Sequence, residues 1–131
     1  MSYATVLDGL HVRFATVAGI NAILKYVPTA IDPPMMYSVL ESMNVTRNGQ
    51  VRAVHYRINH RMMFRWQDFE QAELEIIPFV DSIPLAVEAD PHLGGVLVSG
   101  FAEINECRAL WVDISGTTYR VLDFFSDITE K

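Results

Sequence analysis

The chain has 131 residues, half of them apolar and a fifth charged, which is an ordinary globular mix with enough material for one hydrophobic core. Its net charge of −6 argues against a general nucleic-acid or anionic-membrane binder. Cys107 stands alone, so no disulfide framework exists, and a reducing compartment is allowed.

From the N-terminus, Ser2 is placed to cap a helix. Tyr3, Val6, Leu7, Leu10, Phe14 and Val17 then recur at helical spacing, which predicts about four amphipathic turns. Gly19 suits a left-handed C-terminal cap. Ile20 to Tyr26 is short and apolar, a predicted strand. Pro28, Pro33 and Pro34 then impose an extended connection.

Two long apolar-alternating runs flank Arg47-Asn48-Gly49-Gln50. Asn48-Gly49 predicts a two-residue type I′ turn, with positive φ at both residues. That turn would set Met43 opposite Val54, Val39 opposite Ile58, Tyr37 opposite His60 and Met35 opposite Met62. One face would then gather Tyr37, Val39, Met43, Val54, Tyr56, Ile58, Met62, Phe64 and Trp66. The other would hold Ser38, Ser42, Asn44, His55, Arg57, Asn59, Arg61 and Arg65. The second strand, Val51 to Trp66, would span about 50 Å, more than the roughly 36 Å diameter of a domain this size. Such a hairpin bends at a bulge or projects, and the polar stretch from Asn44 to Arg52 favours projection.

Asp68 caps a second predicted helix with Phe69, Ala72, Ile76, Val80, Ile83 and Val87 as its apolar stripe. Pro78 and Pro84 are expected to kink or split it. Asp90-Pro91-His92-Leu93-Gly94-Gly95 is a stop signal. Strand patterns return over Val96 to Ile104 and Arg108 to Ile114, with a turn expected near Asn105-Glu106. A two-residue turn at Ser115-Gly116 would pair Val112 with Tyr119, Leu110 with Val121, Arg108 with Asp123 and Trp111 with Arg120. Those last two pairs predict an ion pair and a cation–π contact. The expected class is α+β: a mostly antiparallel sheet with a long β-hairpin and two main helices packed on one face. Residues 1–131 form one domain, from which hairpin 35–66 projects.

Chemistry is sparse. His11, His55, His60 and His92 lack ligand spacing, and His55 and His60 point to opposite strand faces, so no metal is expected. Cys107 has no nucleophile signature around it, and phosphate loops, dinucleotide fingerprints and Gly-x-Ser-x-Gly are missing. No catalytic residue and no cofactor is expected. No apolar run reaches about 18 residues, and the N-terminus lacks a basic-then-apolar pattern, so neither a membrane span nor a signal peptide is expected. Met35, Met36, Met62 and Met63 cluster at the hairpin base, as core filling or an adaptable contact surface. Eight of the ten basic residues are arginine, and Arg57, Arg61 and Arg65 share one strand face. Arginine's planar fork suits carboxylates at interfaces. The expected partners lie on the second helix, in Glu70, Glu73, Glu75 and Asp81, across a subunit boundary or within one subunit; a solvated face balanced by neighbouring carboxylates is the alternative.

The sequence resembles the tail terminator (tail completion) proteins of long-tailed bacteriophages. The likeness lies in Ala18-Gly19-Ile20, then Tyr26-x-Pro28-x-Ala30-Ile31 and Pro34 after a first amphipathic helix. It continues in Asp90-Pro91-His92-Leu93-Gly94-Gly95 and ends in Trp111-x-x-Ile114-x-Gly116-x-x-Tyr119-Arg120 and Thr129-Glu130-Lys131. The resemblance implies a ring, usually a hexamer, capping the tail tube in the virion neck and meeting a head connector or stopper protein. It implies no enzymatic activity and a lumen that passes DNA without binding it. Another neck protein, such as a connector stopper or minor tail component, is the nearest alternative, and a stand-alone small-ligand binding domain the more distant one. The ring reading selects Asn48 and Gly49 at the hairpin tip, Arg57, Arg61 and Arg65, and Glu70 and Glu73 as subunit or partner contacts.

Overall fold

The computed structural model describes residues 2–65 and 68–130. Their order is α1 (Tyr3–Phe14), β1 (Ala22–Leu24), β2 (Met35–Asn48), β3 (Val51–Phe64), α2 (Phe69–Glu88), β4 (Phe101–Ile114) and β5 (Thr117–Glu130). The strands form one sheet in the order β1-β2-β3-β5-β4. Only β1 runs parallel to its neighbour, and the remaining pairs are antiparallel. Both helices cover one sheet face, as the α+β reading expects.

α1 starts as predicted, with the Ser2 hydroxyl accepting from the Thr5 amide at 3.3 Å. It ends earlier than predicted, at Phe14, with Ala15 in the cap position. Gly19 has positive φ (94°) but lies in the following loop, where an added Cβ would stand 3.3 Å from the Phe79 ring. Its role is therefore close approach to α2 and not capping. α2 begins at Asp68, whose carboxylate accepts from the Gln71 amide at 2.7 Å. It is not split and runs through both prolines. The carbonyls that Pro78 and Pro84 leave without an amide belong to Leu74 and Val80, which face solvent, so water can satisfy them. The buried stripe is Ala72, Ile76, Phe79, Ile83, Ala86 and Val87. Phe79 replaces the predicted Val80, and Phe69 is exposed.

The core lies between the helices and the sheet: Val6, Leu10 and Phe14 from α1, Ile76, Ile83 and Val87 from α2, and Ile58, Met62, Phe64, Leu122, Phe124 and Ile128 beneath them. A smaller cluster of Met35, Tyr37, Met63 and Val121 sits on the opposite sheet face, with Leu24 and Ile31 against it.

The first hairpin departs from its predicted register. The turn residues are Gly49 and Gln50, so Asn48 pairs with Val51 and Met43 with Tyr56. Gly49 has φ 65° and Asn48 is not left-handed. This is the type II′ arrangement, which needs positive φ only at its first central residue and puts glycine there. A bulge at Glu41 then shifts the register by one, giving Leu40 with Ile58, Val39 with Asn59, Tyr37 with Arg61 and Met35 with Met63. A one-residue shift exchanges the faces of a strand. Tyr37 and Val39 therefore join the arginine face, while Met36 and Ser38 turn to the core. Trp66, placed with the apolar face by the sequence, lies outside the described residues.

β4 is one strand where two were predicted. Its pairing with β5 runs unbroken from Phe101 to Ile114 except for a bulge at Asn105, the position expected to turn. Residues 91–96 form turns instead, and 97–100 are bends and irregular chain. The second hairpin turn is as predicted. Ser115 and Gly116 both have positive φ (51° and 81°), and all four predicted pairs are present. Because β5 flanks β3 from Val54 to Phe64, only the last few residues of the first hairpin extend beyond their neighbour.

Candidate subunit interface

The sheet leaves one face uncovered by helices, and β3 places the arginine stripe there. Arg57 lies 3.1 Å from Glu106, 3.4 Å from Glu41 and 3.5 Å from Asp127. Its guanidinium sits over the Phe125 ring, 4.6 Å from the centroid, and Arg108 approaches the same ring at 5.3 Å. Arg61 makes two parallel bonds to the Asp123 carboxylate, at 2.8 and 2.9 Å. Asp123 is buried. The hydrogen bonds to Asp123 outweigh the desolvation of Arg61 and raise its pKa, so the guanidinium stays charged. The hydrogen bond from Arg108, followed by the approach of Arg57, lowers the Glu106 pKa.

The carboxylates that meet the stripe thus come from β2, β4 and β5, whereas the sequence pointed to α2. The reason is topological: α2 packs on the other side of the sheet. Glu73 instead accepts from Arg120 at 2.8 Å, and Arg120 stacks over Trp111 at 4.7 Å, the predicted cation–π contact. Arg108 sits opposite Asp123 as predicted, yet its ion pair is with Glu106, because Arg61 already occupies Asp123. Arg65 and Glu70 are exposed, Arg65 just past β3 and Glu70 in the first turn of α2. Asn48 and Gly49 are exposed at the hairpin end.

Both outer strands present open edges. β1 pairs with β2 over Met35, Met36 and Tyr37, so from Ser38 to Asn48 the outer edge of β2 has no strand partner among the described residues. β4 is the opposite edge strand, and its start is covered by the Pro91 carbonyl accepting from Ala102. Neither edge carries lysine or proline; their guards against strand pairing are one bulge each, at Glu41 and Asn105, and a few charges. Val39, Leu40, Met43 and Val45 on one edge, and Phe101, Leu110 and Trp111 on the other, are exposed.

The sequence reading did not find a buried polar chain. His11 Nε2 lies 2.8 Å from Ser38 Oγ, which lies 2.6 Å from His60 Nδ1, and His60 Nε2 lies 2.8 Å from Ser126 Oγ. His60 and Ser126 are fully buried. Burial, helped by His11, lowers the His60 pKa to about 3. Burial, then Lys25, lowers that of His11 to about 4, with Asp8 acting in the opposite direction. The even spacing of His60 from Ile58 and Met62 already placed it on the core face; Ser38 became its partner only through the Glu41 bulge. The chain ties α1 to the sheet. Among the described residues, no group of three or more histidines, cysteines and carboxylates is placed to hold a metal. Likewise no helix among them is long and apolar enough to cross a membrane.

No protein-family model matches the chain, and no curated protein matches it. A solved structure of the virion of a native gene transfer agent particle contains a chain of similar fold. The TM-score is 0.52 at 13% identity, and the match covers 99% of this chain and 100% of that chain. At that identity the likeness is one of fold.

Proposed function

We propose that the chain is a structural protein of a phage-like virion, and that it forms a ring at the head-proximal end of a tail tube. There it ends tail growth and joins the tail to the head connector. The observation that carries the reading is the end-to-end fold match to a chain of a virion particle, 99% of one and all of the other. The tail-terminator likeness of the sequence narrows the position, and the two open edges suit a subunit that joins neighbours on both sides.

In this reading the ring is a hexamer that meets the tube protein on one side and a connector or stopper protein on the other. Asn48, Gly49, Arg65 and Glu70 are its exposed contact residues. Arg57, Arg61 and Glu73 act through the strand surfaces that they brace. Six copies carry six times the chain's −6, which suits a lumen that passes DNA without holding it.

The test is native mass together with negative-stain images of tails made with and without the protein. A ring in solution, or tails that overgrow and fail to join heads without it, is the expected result. A monomer at every concentration, with tails of normal length that join heads in its absence, would overturn the reading.

A further inference from the structure

Charge is divided unevenly along the chain. Hairpin residues 35–66 hold five arginines, Arg47, Arg52, Arg57, Arg61 and Arg65, against Glu41 alone, a net +4; the rest of the chain therefore carries −10. Arg57 and Arg61 are neutralised on the sheet. Arg47 and Arg52 are not. They lie directly opposite one another across the hairpin end, where like charges repel. Neither has a carboxylate within ion-pair distance among the described residues. Exposed Met43 and Val45 share their face of the hairpin.

The outer face of α2 has the opposite character. Leu74, Ile77 and Leu85 are each more than half exposed there, and at helical spacing Glu70, Asp81 and Glu88 share that side. The helix contains no lysine or arginine. Glu88 ends it at the negative pole of the helix dipole, which Arg13 Nε offsets in part by donating to the Ala86 carbonyl at 2.8 Å. Beside this face runs a cleft of about 650 Å³ between the end of α1 and α2, lined in part by Pro78, Ser82 and Leu85. The Ser82 hydroxyl is buried there without a hydrogen-bond partner. The hairpin end thus carries a repulsion in the single chain that contact with the acidic face of α2 would relieve. No hydrogen bond or ion pair among the described residues joins them within the chain.

We propose that the hairpin end of one copy, with Arg47 and Arg52, docks on the acidic, apolar outer face of α2 in a second copy. The inference rests on the ring reading and specifies its contact. The two surfaces differ, so the contact is head-to-tail, the kind that closes rings.

The test is charge reversal, read by the concentration at which half the chain is assembled. Arg47→Glu with Arg52→Glu, and separately Asp81→Arg with Glu88→Arg, should each raise that concentration about tenfold or more. The fourfold variant should return to within about threefold of the parent, since its charges again oppose. A reversed hairpin that assembles like the parent, or a fourfold variant no better than the worse double, would overturn the docking while leaving the ring standing. A second measurement does not depend on ring closure. With Cys107→Ser as background, Asn48→Cys and Leu85→Cys on one chain should oxidise to disulfide-linked multimers. Chains that stay monomeric on oxidation would overturn the docking even if the parent forms no ring.

Discussion

The two hairpins of this sheet are alike in length and opposite in legibility. Each joins two 14-residue strands through a two-residue turn that contains glycine. In β4–β5 the turn residues Ser115 and Gly116 are both left-handed, and every pair that the sequence predicted is present. In β2–β3 the turn slides one residue along, and the Glu41 bulge then exchanges the faces of the strand base. The difference lies in what fixes register. β3 and β5 are both inner strands, but next to its turn the edge strand β4 keeps Val112 and Ile114 half-buried and packed against the smaller cluster. β2 is an edge strand, exposed from Val39 to Asn48, and almost nothing there penalises a slip.

The largest expected effect tests that contrast directly. Phe124 is fully buried on β5, while Val45 is 41% exposed on β2. Phe124→Ala should lose about 3–5 kcal/mol of unfolding free energy, and Val45→Ala about 0.5 kcal/mol or less. Urea denaturation of both variants reads the difference. Similar losses at the two sites would mean that β2 is held by contacts absent from the single chain.

Next in size is the clamp that joins the hairpins. Arg61 is the hydrogen-bonded partner of buried Asp123. Arg61→Ala strands a desolvated carboxylate and should lose about 2–4 kcal/mol, since removing one partner of a buried pair costs more than the pair contributes. Arg65→Ala, on the same strand pattern but exposed past the end of β3, should change stability by about 0.5 kcal/mol or less. The separation should appear in the denaturation midpoints. Equal losses at both positions would sink the distinction drawn between clamp and surface.

A third effect follows from His60, which joins the base of the first hairpin to β5 through Ser38 and Ser126. Its pKa is about 3 when folded, against 6.5 ordinarily. Above pH 6.5 both states are neutral and the group contributes no pH dependence. Below it the unfolded chain takes up a proton that the folded chain cannot, so stability falls as pH drops from 6.5 towards 3. The slope is about 1.4 kcal/mol per pH unit for one such histidine. His11, only partly buried, adds a smaller share in the same direction. Unfolding curves at pH 7.5 and 5 should show the loss in the parent and a shallower one in His60→Asn. An unchanged slope would remove His60 as its source.

The fold class was legible because period and punctuation agreed over long stretches. Ser2 and Asp68 capped their helices as read, and the Ser115-Gly116 register placed Trp111 against Arg120. What stayed hidden depended on a residue with no side-chain signature. Glu41 and Asn105 form bulges by adding one residue to a strand, and nothing in either residue announces it. The candidate interface suffered more, because charge partners depend on which sheet face a helix covers. Alternation showed that the arginines share a face. It did not show that α2 lies behind the other one, so Glu70 and Glu73 were matched to arginines from which the sheet separates them.

The smallest effect distinguishes the two turns themselves. In a type I′ turn at Asn48-Gly49, both positions would need positive φ; in the observed II′ turn at Gly49-Gln50, only Gly49 does. Gly49→Ala should therefore lose about 1 kcal/mol, the strain of a left-handed residue that carries a Cβ. Space is not the issue, since a Cβ at Gly49 meets nothing within 4 Å. Asn48→Val should be close to neutral, within about 0.5 kcal/mol, because Asn48 is extended strand where β-branching is welcome. The order would reverse if the turn sat one residue earlier, since valine resists the left-handed region more strongly than alanine. Ser115 provides the internal control. It is left-handed in the second turn, and Ser115→Gly should gain about 0.5 kcal/mol by removing the same strain. Thermal midpoints of the three variants, measured side by side, decide it. An Asn48→Val chain less stable than Gly49→Ala would return the first hairpin to the register that its Asn-Gly pair suggested.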